Sequence, residues 1–426
     1  MSLSPWNAIH LLRWAGSFFN PVKAHASQLS KAQFVYGRLA TRAVFFCAGI
    51  ATAPWACFMP YVKTRLELNE MHYAALLLCY GLGAVIGMPL TGRLAARFGV
   101  RRMITLSMLL TVSAMCLMAY DDLTLPLAYC GVLLWGSNIG ILDVSNNIHG
   151  ACIEEMAGRH LMSSFHGFYT VGCLVAALYC AFMLHGGLHT FYTALSLWIA
   201  AVALLIYAYP RLINTHGQGA NAQATDSAPP TALPTCKAKW YPSYLTLTVV
   251  LCGMISLIMY LGEGMIYDWS AVYLITTASV DITIAAVGYL AFELAVAIMR
   301  FKGDGIVTRL GPLKLLLAGS IIGALSFAAI ALTTNAYVMI ALFFVAGLAL
   351  ANVVPVILSH TAQISGSNQG RALSFVGTCG YGGLLLGPAI LGSIATLCGL
   401  SGMFIFTASL ILLLGLMAIK ILKPRA

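Results

Sequence analysis

The chain has 426 residues, of which 60% are hydrophobic and 8% are charged, and its formal net charge is +10. A soluble globular domain carries about 25% charged residues, so this composition excludes the soluble classes of protein. The apolar residues also occur in runs of the length that crosses a bilayer, about 20 residues for each helix.

Twelve membrane-spanning helices are predicted from these runs. Lipid offers no hydrogen bonds to the backbone, so only helices and closed barrels cross a bilayer, and runs this uniformly apolar form helices. The predicted spans are, in chain order, 43–62, 71–92, 103–120, 124–150, two within 161–210, 241–262, 281–300, two within 315–370 and two within 372–419. The three long runs divide at the turn sequences LHGGLH, TTNAY and CGLSG. The predicted fold class is therefore an all-α integral membrane protein.

The positions of the basic residues predict how the chain lies in the membrane. When both termini are placed in the cytoplasm, Lys63 and Arg65 are the only two of the 23 Lys and Arg residues on the outer side. Cytoplasmic loops of membrane proteins carry an excess of Lys and Arg, so this orientation is the predicted one. The positive net charge is interpreted as a topology signal, and no nucleic-acid partner is predicted.

Two basic turns indicate that the chain contains a duplication. The stretches GRLAARFGVRRM and GDGIVTRLGPL each follow a long apolar run, and Arg97 and Gly99 of the first recur as Arg309 and Gly311 of the second. Parallel repeats of this kind are a transporter architecture, with the solute site between the halves. The predicted divisions are a basic cytoplasmic N-terminal segment at 1–41, a six-helix bundle at 42–211, a cytoplasmic linker at 212–241 and a second six-helix bundle with a short basic tail at 242–426.

The first basic turn resembles the signature loop of the major facilitator superfamily. The matching residues are Gly92, Arg97, Gly99, Arg101 and Arg102. Ala96 stands where the family usually has an acid that helps to latch the inner gate, so the gating role of this loop is left open.

Four further stretches narrow the resemblance. LDVSNNIHG, MSSFHGFYTVG, EGMIYDWSAVYL and CGYGGLLLGPAILG resemble the bacterial branch of the superfamily that contains YbjJ and MosC. The resemblance implies two pseudo-symmetric six-helix bundles in the inner membrane of a bacterium. It also implies transport of a polar solute that is sugar-like or inositol-like.

Polar groups at membrane depth are candidates for solute binding, because they are costly there. Asp143 is predicted to lie near the inner end of the fourth span. It is followed by Asn146 and Asn147 on the same helix face, and together they offer donors and acceptors to a hydroxylated solute. The alternative is that Asp143 pairs with Arg42 and fixes the bundle. His166 is interpreted either as a proton relay or solute ligand or as a structural polar group.

Two glutamates of the second half are candidates for proton coupling. Glu293 lies about halfway along the eighth predicted span, and the alternative is a structural bridge to Arg300 two turns later. Glu263 is placed in the outer half of the seventh span. Trp269 and Tyr273 follow it toward the outer mouth, where aromatic rings either contact the solute or anchor the helix at the membrane interface.

The candidate residues fall into three groups. The predicted solute-binding residues are Asp143, Asn146, Asn147, His166, Glu263, Trp269 and Asn352. The predicted proton-coupling residues are Glu293 and Glu263. The predicted gating or structural residues are Gly92, Arg97, Gly99, Arg101, Arg42, Arg300, Asp304 and Arg309. No metal site and no cofactor is predicted, because the 12 Cys residues occur singly within apolar runs.

The predicted function is secondary active transport of a small polar solute by alternating access, coupled to protons, with import favoured. The predicted partners are the solute, protons and the lipid bilayer, and the predicted state is a monomer. The alternative is a proton-driven exporter of drugs or metabolites. Direct use of ATP is not predicted, because the chain lacks the G-x-x-x-x-G-K-[ST] pattern. An integral-membrane enzyme is not favoured, because the H-E-x-x-H and G-x-S-x-G patterns are also missing, and a transporter-like sensor is not favoured, because neither 1–41 nor the linker has the size of a typical soluble output domain.

Overall fold

The computed structural model describes residues 31–213 and 244–422, and the structural statements below concern these two ranges. Most of the predicted N-terminal segment and nearly all of the predicted linker lie outside them. In the first range, span 1 consists of Lys31–Thr52 and Pro54–Arg65, span 2 is Glu70–Phe98, span 3 is Val100–Met118, span 4 is Leu125–Ala157, span 5 is Met162–His185 and span 6 is Thr190–Ala208. In the second range, span 7 is Leu247–Ala278, span 8 is Ile282–Leu310, span 9 is Pro312–Leu332, span 10 consists of Ala336–Leu350 and Val353–Ser365, and Gln369–Leu422 comprises spans 11 and 12, which divide at Gly399.

The described helices make twelve crossings. Length and hydropathy identify nine segments in these ranges that are able to cross a membrane. One of them, Ala336–Leu422, has 87 residues and makes three crossings, because the chain turns at Gly366–Asn368 and again at Gly399, where φ is 75°. Ile282–Leu310, with 29 residues, is a further crossing. The predicted all-α fold of twelve spans is confirmed for the described part of the chain.

The two basic turns have the same backbone geometry. Gly99 has φ 88° and ψ 143°, and Gly311 has φ 81° and ψ 157°. Each glycine donates its N–H to the carbonyl four residues earlier, which ends one helix, and the next helix begins directly after it. A positive φ is disfavoured for any residue with a Cβ, so glycine is needed at both turns. The repeat predicted from their spacing is thus present in the backbone. The side of the molecule that carries these two turns is named the basic face.

The two halves meet along two pairs of spans. Span 2 packs against span 11, and span 5 packs against span 8. Near the basic face the first pair is closest at Gly92, whose N–H donates to Ser374 Oγ over 3.0 Å. A Cβ at Gly92 would lie 2.8 Å from the carbonyl oxygen of Gly370 and 2.9 Å from the nitrogen of Arg371, so only glycine allows this approach.

We expect Gly92→Ala to separate spans 2 and 11 and to lower the free energy of unfolding by about 1–3 kcal/mol, the usual cost of overpacking. Backbone atoms oppose the added methyl group, so the helices themselves must move apart. Hydrogen–deuterium exchange should be faster across residues 369–376 in this variant than in the native protein. Gly382→Ala on span 11 is the control, because a Cβ there meets nothing within 4 Å. Equal exchange in the two variants would contradict the prediction.

Candidate functional site

Asp143 and Glu263 lie near the middle of their spans, which corrects their predicted depths. Span 4 continues past the predicted end at 150 to Ala157, so a helical rise of about 1.5 Å per residue places Asp143 about 20 Å from that end rather than close to it. Span 7 begins at Leu247 rather than at 241, so Glu263 lies midway along it rather than in the outer half. Both corrections arise because the helix ends differ from the ends of the apolar runs.

A cluster of charged side chains joins spans 7 and 8 at this depth. Arg300 Nη2 lies 3.9 Å from Glu263 Oε1, and these two side chains are 12% and 13% exposed. The Tyr267 hydroxyl donates to Glu293 Oε1 over 3.1 Å. Within the described residues the ion pair of Arg300 is therefore with Glu263, and the alternative bridge from Glu293 to Arg300 is not formed. Glu293 is left with a neutral hydrogen-bond donor.

Arg300 also links the two halves of the molecule. Its Nη1 donates to the Thr170 hydroxyl on span 5 over 2.6 Å, and that hydroxyl donates to the carbonyl of His166 over 3.1 Å. One guanidinium group thus contacts a carboxylate of the second half and a hydroxyl of the first. The sequence interpretation missed Thr170, although it lies one helical turn after His166 in the stretch MSSFHGFYTVG.

The polar residues of the first half form a buried network between spans 1, 4 and 5. His166 Nε2 lies 3.1 Å from Asn147 Oδ1, and the Asn146 amide donates to the carbonyl of Val44 over 3.5 Å. Asn146, Asn147 and His166 are at most 6% exposed. These three predicted residues are brought together, and Asp143 lies one helical turn before Asn147 on the same span.

The alternative partner of Asp143 lies elsewhere. The Arg42 guanidinium carbon is 5.3 Å from the centroid of the Phe168 ring, and no ion pair joins Arg42 to Asp143 in the described chain. Arg42 lines a cavity at the basic face instead. The Asp143 side chain interacts with Asn147 on the same helix instead.

Four tyrosines form two pairs of rings on the spans that carry or adjoin the charged cluster. The rings of Tyr267 and Tyr289 are 5.0 Å apart between spans 7 and 8, and those of Tyr260 and Tyr381 are 5.8 Å apart between spans 7 and 11. The charge of Asp143 from the first half acts on Tyr260, as do the charges of the second-half cluster. Tyr260 itself lies three residues before Glu263 on span 7. The sequence interpretation missed these rings, although Tyr267 lies one turn after Glu263 in the quoted stretch EGMIYDWSAVYL.

Three residues named from the sequence lie outside the cluster. Tyr273 is fully buried, and its hydroxyl donates to the carbonyl of Ile330 over 3.3 Å, so its interpretation as an interfacial anchor or a mouth residue is wrong. The Asn352 amide donates to the carbonyl of Met299 over 3.2 Å at the junction of spans 8 and 10. The Trp269 indole nitrogen is buried and has no hydrogen-bond partner among the described residues.

Asp304 ties the halves together near the basic face. Its two carboxylate oxygens accept the backbone N–H groups of Ser163 and Ser164 over 3.0 and 3.1 Å. This contact joins span 8 to the first turn of span 5, where helix N–H groups have no partner within the helix. It is a second hydrogen-bonded contact between the halves at this face, in addition to the one between Gly92 and Ser374.

Glu154 makes the corresponding contact from span 4. Its Oε2 accepts the N–H groups of Leu161 and Met162 over 2.7 and 2.8 Å, and the hydroxyl of Ser359 on span 10 donates to its Oε1. The carboxylates of Glu154 and Asp304 therefore connect the helices at this face. Ala96, which stands where the superfamily usually has an acid, provides no such contact. The sequence interpretation missed Glu154, which lies seven residues after Asn147 near the end of the same helix.

The arginines of the signature loop contact aromatic rings. The guanidinium carbon of Arg97 is 5.3 Å from the centroid of Phe98, and that of Arg101 is 4.6 Å from the centroid of Tyr209. Both contacts lie within the first half. Arg309 of the second turn lines the cavity at the basic face.

His160 should make the stability of the protein depend on pH. The Glu154 carboxylate, with Oε1 3.9 Å from His160 Nδ1, raises the pKa of His160 against the effect of partial burial. A raised pKa contributes stability that is fully present below the unfolded pKa of about 6.5 and is lost as the pH rises through the folded value. We expect His160→Gln to lower the unfolding temperature at pH 6 and to leave it unchanged at pH 8.5. His185→Gln, an exposed histidine on the opposite face, is the control, and equal losses at both pH values would contradict the prediction.

The fold and the sequence together identify the family of the chain. The family model described as Major Facilitator Superfamily matches residues 44–335 and 281–426. The chain belongs to the major facilitator superfamily. An uncharacterized MFS-type transporter of Yersinia pestis is 32% identical over 375 residues, which cover 88% of this chain and 93% of the relative. The membrane protein MosC of Rhizobium meliloti is 30% identical over 365 residues, which cover 85% of this chain and 84% of the relative.

Solved structures of this superfamily share the fold. The chain resembles the transporter FucP in the outward conformation with a TM-score of 0.73 and 15% identity, over 91% of this chain and 98% of that one. It resembles the proton:xylose symporter XylE bound to 6-bromo-6-deoxy-D-glucose with a TM-score of 0.71 and 15% identity, over 93% and 97%. The predicted superfamily fold is confirmed, and the protein is a multi-pass membrane transporter rather than an enzyme.

Proposed function

We propose that this protein imports a small polar solute, sugar-like or inositol-like, together with protons, by alternating access across the bacterial inner membrane. The observation that carries the proposal is the contact of Arg300 with both Glu263 and Thr170, because it places titratable charge at the junction of the two halves. Transporters of this architecture bind their solute near the midplane between the halves.

The proposed solute site combines groups from both halves. Asp143 offers a carboxylate with no ion-pair partner among the described residues, and Tyr260 and Tyr381 offer ring faces and hydroxyls. Carboxylates and hydroxyls suit the hydroxyl groups of a polyol, and ring faces suit its C–H groups. The buried network of Asn146, Asn147 and His166 positions the helix that carries Asp143. Trp269 follows Glu263 toward the outer end of span 7, and Asn352 lies toward the basic face at the junction of spans 8 and 10, so both belong to the margins of the proposed site. Two proteins that share the fold, FucP and XylE, are a fucose:proton symporter and a proton:xylose symporter, which supports this class of solute.

Glu293 and Glu263 are the proposed proton carriers. A carboxylate that takes up a proton loses its charge, so protonation of Glu263 weakens its attraction for Arg300. Glu293 lies near the same guanidinium group, and its protonation removes a second negative charge from the cluster. In the proposed cycle, proton uptake frees Arg300 from Glu263, and the released guanidinium group can then change its contact with Thr170 between spans 5 and 8.

The contacts at the basic face form the proposed gate. Asp304 and the close approach at Gly92 tie the two halves, while Gly99, Arg97 and Arg101 shape the loop between spans 2 and 3. The proposed gate closes without an acid at position 96. The two halves that meet at the gate are the proposed six-helix bundles at 42–211 and 242–426. The segments at 1–41 and 212–241 are proposed to be cytoplasmic.

The basic face is the proposed cytoplasmic side of a monomer. On the opposite face Arg65 lies 3.9 Å from Asp121, and His189 lies 3.2 Å from the same carboxylate oxygen, so the cations there have an acidic partner. An excess of Lys and Arg at the basic face fits the rule for cytoplasmic loops.

Solute exchange in liposomes tests the proposed solute class without requiring proton coupling. Liposomes that contain the purified protein are loaded with one unlabelled compound, which is a pentose, a hexose, an inositol or a cationic drug. Entry of the same compound in labelled form is then followed. We expect exchange of at least one polyol, and we expect Asp143→Asn to lower its rate by about tenfold or more, the effect of losing one hydrogen bond to a charged group. Ser145→Ala, a buried neighbour on the same helix, is the control. Exchange of cationic drugs and of no polyol would contradict the proposal and favour a drug exporter.

A further inference from the structure

A cavity of about 620 Å³ lies at the basic face, apart from the charged cluster in the middle of the spans. Four arginines line it, namely Arg38, Arg42, Arg159 and Arg309. All residues that line the cavity lie in the described ranges, and Asp304 is the one carboxylate among them. Both oxygens of Asp304 already accept backbone N–H groups. This space, named the arginine cavity, therefore has a large excess of positive charge.

Asp304 acts on Arg42 only at a distance greater than that of an ion pair, so the guanidinium groups of the arginine cavity are incompletely neutralised by the described residues. In the two described ranges no ion pair joins any of the four arginines to a carboxylate. The Nε atoms of Arg38 and Arg42 are buried without a hydrogen-bond partner among the described residues. Buried unpaired donors are costly, and neighbouring like charges repel one another. An anion in the cavity relieves both costs.

The shape and chemistry of the arginine cavity fit a phosphate group on a small organic body. Guanidinium groups bind phosphate oxygens in pairs, and a tetrahedral phosphate presents enough oxygens for several arginines. The rings of Phe168 and Phe301, 5.6 Å apart and edge to face, form an apolar wall beside the charges. A volume of about 620 Å³ is that of a site for a small organic molecule rather than for a bare ion. We propose that the arginine cavity binds a phosphate ester, either a water-soluble phosphate monoester or the headgroup of an anionic phospholipid.

Binding of a phosphate ester would hold the halves together at the basic face. Arg38 and Arg42 belong to span 1, and Arg159 lies in the turn before span 5, whereas Arg309 belongs to span 8 of the second half. A ligand that contacts both sets bridges the two halves in the same place as Asp304. The arginine cavity is thus a site at which a phosphate ester lowers the transport rate, whatever the transported solute is.

Calorimetric titration of the full-length protein in detergent at low salt tests this site without any transport measurement. The probes are sn-glycerol 3-phosphate and dihexanoyl phosphatidylglycerol, and the lipid is kept below its critical micelle concentration. We expect at least one probe to bind, and we expect the double variant Arg38→Gln with Arg42→Gln to weaken that binding by about tenfold or more, since charge-assisted hydrogen bonds are lost. Arg159→Gln, an exposed turn position, gives a second variant if the double variant does not fold.

Arg93→Gln is the matched control, because Arg93 is exposed on span 2 near the basic face and does not line the arginine cavity. Binding of glycerol phosphate that depends on the cavity arginines would identify a soluble monoester as the ligand. Binding of phosphatidylglycerol alone, with the same dependence, would identify a lipid headgroup. Absence of binding by both probes, or an equal loss of binding in Arg93→Gln and in the cavity variants, would overturn the proposal.

Discussion

Glu293→Gln should abolish solute accumulation while leaving solute exchange within about threefold of the native rate. Glutamine has the size of glutamate, and its carbonyl oxygen accepts the Tyr267 hydroxyl as Glu293 Oε1 does, so the local packing is preserved. It has no proton to exchange. A driving force of 100 mV is worth about 2.3 kcal/mol for each proton. That energy supports about 50-fold accumulation in the native protein, whereas an uncoupled variant reaches a ratio of about one.

The measurement is the ratio of labelled solute inside and outside liposomes under an imposed proton gradient. Tyr267→Phe is the matched control, because it removes the hydrogen bond to Glu293 and keeps the carboxylate. That variant should still accumulate solute. Accumulation by Glu293→Gln at the native level would show that the proton is carried elsewhere, with Glu263 as the next residue to replace.

Arg300→Met should cost more stability than any other single change in the central cluster. The substitution leaves Glu263 without a counter-ion and Thr170 without its donor. Removal of one partner from a buried ion pair typically costs about 3–5 kcal/mol, because the remaining charge is buried and uncompensated. The variant should unfold at a much lower temperature in detergent and should not transport the solute.

A double variant separates the electrostatic cost from the loss of packing. Replacing Arg300 and Glu263 together by methionine removes both charges, and buried pairs replaced by apolar residues of similar size are often as stable as the native protein. We expect the double variant to regain most of the lost stability and to remain inactive. Thr170→Val, which loses only the hydroxyl contact between the halves, should be affected less than Arg300→Met. A double variant as unstable as Arg300→Met alone would contradict the importance of the ion pair.

The fold was predictable because lipid leaves the backbone few choices. Runs of apolar residues indicate the spans directly, and the glycines at 99 and 311 could be matched because each turn needs a positive φ. The depth of individual residues within the membrane spans was harder to predict. Helix ends depend on capping and on polar turns that apolar runs do not show, so Asp143 and Glu263 were placed too far from the middle of their spans.

The contacts of the site were beyond the reach of a single sequence. The partner of Arg300 across the halves is 130 positions away along the chain, and nothing in the local pattern around Thr170 marks it as that partner. Spacing within one helix allowed a bridge from Glu293 to Arg300 as an alternative, but Arg300 forms its ion pair with Glu263 on the neighbouring span. Tyr273 was misplaced for a related reason, since a tyrosine near a helix end occupies an interface or a buried hydrogen-bonded position according to packing alone.

Solute-dependent proton movement tests the central proposal most directly. Liposomes that contain the purified protein are prepared at equal pH inside and outside, and a solute identified by exchange is added to the medium while the external pH is followed. Proton-coupled import predicts that the medium becomes alkaline on addition of the solute, and that Glu293→Gln prevents the change. Entry of labelled solute with no movement of protons would contradict the coupling proposed for Glu293 and Glu263.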